Sequence, residues 1–294
     1  MIYPNIDCYY LCVWMLTISS QRLTGSQITV TQNIQAAALA QTGVTENEWN
    51  NFNEYAAWRN PYYLVYRDYA ANSSPNLITS ILAYYKLDGS NVESVSNISM
   101  SEANITYSTG NGKINQGAGF NGASSYIKSN SSITLSAYSA LTVNLWVKYT
   151  TASTQVIFET SPNFNSNRGV IIITISGKIS VGVSNGSGGY NIRASSTSIN
   201  TGSWFMITAV INLADPNNYN QVLLFVNGVF EGVLSFTTLQ TGLFTNQPIN
   251  IGARAGASDW FSGAIDEIGM WSRSLSQSEI LSLYNSGSGI QYPF

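Results

Sequence analysis

From residue 81 onward, short apolar runs alternate with turn residues. ILAYYKL (81–87), LTVNLWVKY (141–149), QVIFE (155–159), GVIIITI (169–175), KISVGV (178–183), WFMITAVI (204–211), QVLLFV (221–226) and PINIG (248–252) are the clearest. Each is rich in β-branched or aromatic residues, the signature of β-strands. LTVNLWVKY places Leu141, Val143, Leu145 and Val147 on one face at period two. Ser176-Gly177 and Asn227-Gly228 separate neighbouring runs, and Asn-Gly is a strong hairpin signal. No helical crossover interrupts the series, which argues against a parallel sheet. The pattern predicts two antiparallel sheets stacked as a sandwich.

The last run, GAIDEIGMW (263–271), places two adjacent acids among apolar residues. Strict alternation gives Asp266 a face with Ile268 and Met270, and gives Glu267 a face with Ile265 and Trp271. Both faces are then buried, and a buried carboxylate needs a partner. Downstream, Ser276-Gln277-Ser278-Glu279 is a capping box. It predicts a short helix carrying Ile280, Leu283 and Tyr284 inward and closing near Gly287, a lid on the sandwich.

Composition shifts near residue 75, dividing the chain into a small, partly helical N-terminal region (1–77) and a sandwich domain (78–294). NIQAAALAQTG (33–43) is alanine-rich and ends on glycine, a natural helix C′ residue. Thr45-Glu46-Asn47-Glu48 is a second capping box, leading a stripe of Trp49, Phe52, Tyr55 and Ala56 that Pro61 stops. Tyr62, Tyr63, Tyr66 and Tyr69 follow, either as local core or as a docking surface. CYYLCVWMLTI (8–18) lacks a basic flank and is too short to span a bilayer, so it reads as a buried strand or a docked arm. Cys8 and Cys12 are the only cysteines; their spacing suits two buried thiols, and no disulfide framework is available.

The chemistry available is narrow. Of 294 residues only 9% are charged, about a third of the usual share, and Asn, Ser, Thr, Gly and Tyr take the surface positions instead. That composition suits a virion or extracellular protein making neutral hydrogen bonds, and fits sugars better than phosphates. A net charge of −3 gives no footprint for nucleic acid. With no histidine, every mechanism using imidazole is excluded.

Four stretches carry a resemblance. They are SILAYYKLDGSNVES (80–94), GKINQGAGFNGASSYIKS (112–129) with Phe120, Gly122 and Tyr126, the Trp146 and Trp204 strands, and the final GAIDEIGMWSRSLSQSEI (263–280). Together residues 80–288 resemble the laminin-G-like jelly-roll domains of the concanavalin A-like lectin/glucanase superfamily. The resemblance implies a mainly β, two-sheet jelly roll with Trp146 and Trp204 within the sandwich. It also implies one structural calcium ion, with Asp266 as principal ligand and Asp88 or carbonyls of the next loop as partners. Calcium takes six to eight oxygens, so a carboxylate plus a loop suits it. The usual D-x-S-G-N of that loop reads Glu93-Ser94-Val95-Ser96-Asn97 here, with serine at the glycine position. The alternative is that Asp266 caps backbone N–H groups without metal.

Glycosidases of the superfamily place acids as E-x-D-x-x-E along one strand; the motif is absent here, and Asp266 and Glu267 should face opposite ways. No enzyme is expected. Glycan binding needs an exposed aromatic face and neutral or acidic hydrogen-bonding groups. The loop candidates are Trp260 with Asp259, Tyr190, and Tyr219 with Asn217 and Asn218. The whole reads as a non-enzymatic virion protein of a bacteriophage: a head fibre, decoration protein or tail adhesin. Residues 1–75 would anchor it to other virion or surface proteins, within a homo-oligomer or larger assembly, and the sandwich would bind host glycans. The alternative is a secreted or cell-surface bacterial carbohydrate-binding adhesin. No membrane span is expected.

Overall fold

The computed structural model describes residues 76–160, 169–184, 190–212, 220–235 and 246–294. The chain divides into two units, Met1–Arg67 and Asp68–Phe294, and all described residues belong to the second. The expectations for Cys8, Cys12, residues 8–18, the upstream helices and the tyrosine cluster lie outside the described residues.

The strands run β1 Ile81–Tyr85, β2 Met100–Ala103, β3 Thr106–Ser108, β4 Gly117–Asn121 and β5 Tyr126–Ser129. Next come β6 Ala140–Lys148, β7 Gln155–Glu159, β8 Gly169–Ile175, β9 Lys178–Ser184 and β10 Tyr190–Ser198. The series ends with β11 Phe205–Asn212, β12 Asn220–Val226, β13 Val229–Ser235, β14 Asn250–Ile251 and β15 Ser262–Trp271. One helix, α1 Gln277–Tyr284, follows. The first sheet has the order β13-β12-β11-β6-β15-β4-β3, with β1 also on β15; the second has the order β10-β9-β8-β7-β14-β5-β2. All pairings between these strands are antiparallel, as the sequence predicts.

The core lies between the sheets. Leu141, Val143, Leu145 and Val147 of β6 enter it together, as their alternation requires. β8 reads as an unbroken apolar run for a different reason. Val170 and Ile172 join the core, while Ile171 and Ile173 join Val156 in a smaller buried cluster.

β15 lies at the centre of the first sheet and departs from simple alternation. One edge pairs along β6; the other pairs with β4 through Ile265↔Ala118 and then with β1 from Ile268↔Tyr85. At this seam Asp266 faces Trp146 and Gly269 faces Asn144, so Glu267 and Ile268 together oppose Leu145. This is a β-bulge, and Glu267 takes a φ of +50° to make it. The extra residue resets the period: Ile265, Ile268 and Met270 all enter the core. Asp266 and Glu267 consequently share the outer face of the sheet. The expectation that they point to opposite faces, with Asp266 beside Ile268 and Met270, is corrected by the bulge.

That outer face is covered by the end of the chain. Ser276 caps α1, accepting from Glu279 N while Glu279 reaches back, and Asn285 ends the helix in the left-handed region at φ 45°, two residues before the expected Gly287. Tyr284 stacks on Trp146 with ring centroids 5.8 Å apart. Tyr292 and Phe294 pack on Tyr84, and Phe294 on Trp271. Trp146 is therefore buried outside the core, not within the sandwich as expected. Trp204 is only half-buried, with Lys148 Nζ 5.0 Å over its ring.

Candidate functional site

The acids singled out by the sequence form one group at the seam, with Asp266 and Glu267 buried and Asp88 half-buried. Asp266 Oδ2 accepts from Lys113 N at 2.7 Å and Ile114 N at 3.0 Å. Asp88, just after β1, accepts from Gln116 N at 2.9 Å and shares Gln291 Nε2 with Glu267, at 2.8 and 2.5 Å. Glu267 Oε2 takes the Tyr84 hydroxyl at 2.5 Å. Burial pushes the Asp266 carboxyl up to about 8, against the Ile114 and Lys113 N–H groups, with Glu267 adding to the rise. Burial likewise pushes Glu267 up to about 7, against the Tyr84 and Gln291 donors.

These donors bear on the calcium expectation. Among the described residues, every hydrogen bond to Asp88 and Asp266 comes from an N–H group, which would repel a cation. The next loop behaves alike: buried Glu93 accepts from Tyr84 N, Val95 N, Ser96 N and Ile98 N. Asp266 Oδ1 is buried without a hydrogen-bond partner among the described residues. No group of three or more Asp, Glu, His or Cys among them is placed to hold a metal. The residues present fit hydrogen-bonded carboxylates better than calcium ligands.

The second constellation lies at the loop joining β14 to β15, on the outer side of the second sheet. Arg254 N donates to Ser258 O at 2.8 Å, closing a tight turn in which Ala255 and Gly256 take positive φ. The turn is anchored from below by Glu159, fully buried on β7, whose Oε1 accepts from Ala255 N at 2.6 Å. Burial pushes Glu159 up to about 7, against the Ala255 N–H and Arg254 and aided by Asp259. Above it, Arg254 Nε donates to Asp259 Oδ2 at 2.5 Å. Both Nη atoms of Arg254 and Asp259 Oδ1 carry no hydrogen bond among the described residues. Half-buried Trp260 lies 6.4 Å, centroid to centroid, from Tyr126 of β5. The result is an aromatic pair flanked by a half-buried carboxylate and guanidinium with hydrogen-bonding atoms to spare among the described residues, a set suited to a sugar.

Asp259 and Trp260, neighbours in the sequence, both lie at this turn. Tyr190 begins strand β10 instead of lying in a loop. It stands four strands from β14, roughly 19 Å across the sheet. Asn217, Asn218 and Tyr219 lie outside the described residues. Sequence reasoning missed Arg254 and Tyr126 as site residues. Arg254 is signalled by its place five residues before Asp259; Tyr126 has no local signal, because its partner is 134 residues away.

This fold and this rim define a lectin-like sandwich. A laminin-G-type family, described as the concanavalin A-like lectin/glucanases superfamily, matches residues 121–281. The chain belongs to that superfamily. No curated protein sequence matches it. Among solved structures, the binding domain of botulinum neurotoxin DC in complex with rat synaptotagmin II is 14% identical with a TM-score of 0.57, over 72% of this chain and 52% of that one. Domain 4 of an extracellular arabinanase from Geobacillus stearothermophilus, in complex with arabinotriose, is 21% identical with a TM-score of 0.54, over 69% and 97%. The botulinum neurotoxin DC binding domain in complex with SialylT is 14% identical with a TM-score of 0.56, over 72% and 52%. The chain spans about half the length of these neurotoxin domains, and likeness at such identities bears on the fold alone. No helix among the described residues is long and apolar enough to cross a membrane.

Proposed function

We propose that this chain is a non-enzymatic glycan-binding protein that holds sugar against Trp260. The observation carrying this reading is the Trp260–Tyr126 pair beside Arg254 Nη and Asp259 Oδ1, which carry no hydrogen bond among the described residues. An aromatic face supplies stacking, while the guanidinium and carboxylate orient hydroxyls. The superfamily's lectin character and the arabinotriose held by the arabinanase domain support the ligand class. Absence of catalysis is supported by the seam acids: Asp266 and Glu267 are buried, and Asp266 Oδ2 and both Glu267 oxygens accept hydrogen bonds.

The low charge and the neutral amide surface support display on the exterior of a virion, such as a phage head fibre, decoration protein or tail adhesin, with residues 1–75 as the attachment to the assembly. A glycan array probed with the full chain and with Trp260→Ala tests the binding reading. Retention of neutral oligosaccharides should fall at least about tenfold in the variant while its melting temperature stays within a few degrees. Equal retention by the two proteins would refute it.

A further inference from the structure

The outer face of the first sheet carries a second, separate groove. It has a volume of about 580 Å³ and runs between β3, β4 and the adjoining ends of β6 and β15. Its polar walls include Asn104, Thr106, Asn111, Lys148, Thr150 and Ser262, with Phe120, Tyr149 and several glycines also on the lining. The size is that of a small-molecule site.

The floor is built to be shallow. Asn111 lies flat over Gly119 of β4, where a Cβ would stand 2.3 Å from Asn111 Nδ2. That amide donates to Thr106 O at 2.9 Å, leaving Asn111 Oδ1 unused among the described residues. The hydroxyls of Thr106, Thr150 and Ser262 are likewise unused there. Lys148 Nζ donates once, to Gly110 O at 2.7 Å, and rests over the Trp204 ring. Two of its three N–H bonds remain. No aspartate or glutamate lines the groove, although acids outnumber bases in the chain, 15 to 12.

A single ammonium among free hydroxyls and amide oxygens matches a ligand with one negative charge and several hydroxyls. We infer that this groove binds a carboxylate-bearing sugar, such as a uronate or sialic acid, through Lys148. The ammonium would meet the carboxylate in a charge-assisted hydrogen bond, and Thr106, Thr150 and Ser262 would meet ring hydroxyls. Trp204, held under the ammonium, fixes the lysine by cation–π contact. The site is independent of the Trp260 face, which belongs to the other sheet.

Calorimetric titration of the full chain tests this, with a hexuronate oligosaccharide, a sialylated trisaccharide and their neutral counterparts as probes. Binding of at least one acidic probe, about tenfold tighter than its neutral counterpart, is expected. Lys148→Met should weaken the acidic probe about tenfold, Lys148→Arg should keep most of its affinity, and Trp260→Ala, which weakens only binding at the rim, should leave the acidic-probe affinity unchanged. Loss of acidic-probe binding in Trp260→Ala, but not in Lys148→Met, would place both ligands on the rim and overturn the inference. Failure of the wild-type chain to bind either acidic probe, or equal affinity for the neutral ones, would also overturn it. Should Lys148→Met lower the melting temperature markedly, Thr106→Val on the edge strand tests the same groove. Unchanged acidic-probe affinity there would refute the assignment.

Discussion

At the scale of single residues, the most informative are carboxylates that lie where apolar atoms would be expected. Glu93 is 2% exposed and accepts four backbone N–H bonds, so it works as the organiser of the loop after β1. Glu93→Ala leaves those donors without an acceptor and should cost about 3 kcal/mol or more, read as a fall in denaturant midpoint. Asp266 is different, because one of its oxygens is buried with no hydrogen-bond partner among the described residues. An asparagine supplies the same acceptor to Lys113 and Ile114 without a charge to desolvate. Asp266→Asn should therefore be near neutral at about pH 5 and stabilising by about 1 kcal/mol or more at about pH 8. Chemical unfolding at the two pH values checks this; an equal effect at both would show that burial does not control the group.

At the scale of elements, the runs β6, β8, β11 and β12 could be read from the sequence because both of their sides, or one strictly alternating side, are apolar. The short strands β2 (MSEA) and β3 (TYS) could not, since at a sheet edge three or four residues carry little period. The capping box of α1 was readable because its partners are three residues apart. The bulge was not. Its cause is the junction of β4 and β1 on one edge of β15, and pairing between residues more than 140 positions apart leaves no local mark. The same gap in reading misplaced Trp146, whose cover is a helix and tail arriving from the far end of the chain. The bulge makes a sharp prediction. Glu267→Ala keeps the register and should fold, whereas an alanine inserted between Glu267 and Ile268 turns Ile268 and Met270 away from the core and should abolish cooperative unfolding in a thermal melt. A cooperative melt for the insertion would mean that β15 can absorb a further residue without losing its inward set.

At the scale of the whole molecule, three buried acids act together on stability. Asp266, Glu267 and Glu159 all hold their protons more tightly in the folded chain than carboxylates ordinarily do. Between about pH 4.5 and 8 the folded state then binds more protons than the unfolded one, so stability falls as pH rises through that window. The unfolding free energy should be highest near about pH 5 and lower at about pH 8 by on the order of 2 kcal/mol or more, read as a lower melting temperature. A flat or rising profile across the window would contradict the burial of these groups. The residues just before β1 have a mechanical consequence of their own. Trp271 Nε1 donates to Leu77 O at 2.7 Å, and the Arg273 guanidinium, held by Glu279, donates to Asn76 O and Thr79 O. A tug arriving along the backbone from upstream meets this clasp before it reaches the first strand. Load is then shared with the central strand and the capped helix, and the sandwich can be hauled on from that end without unzipping at its hem.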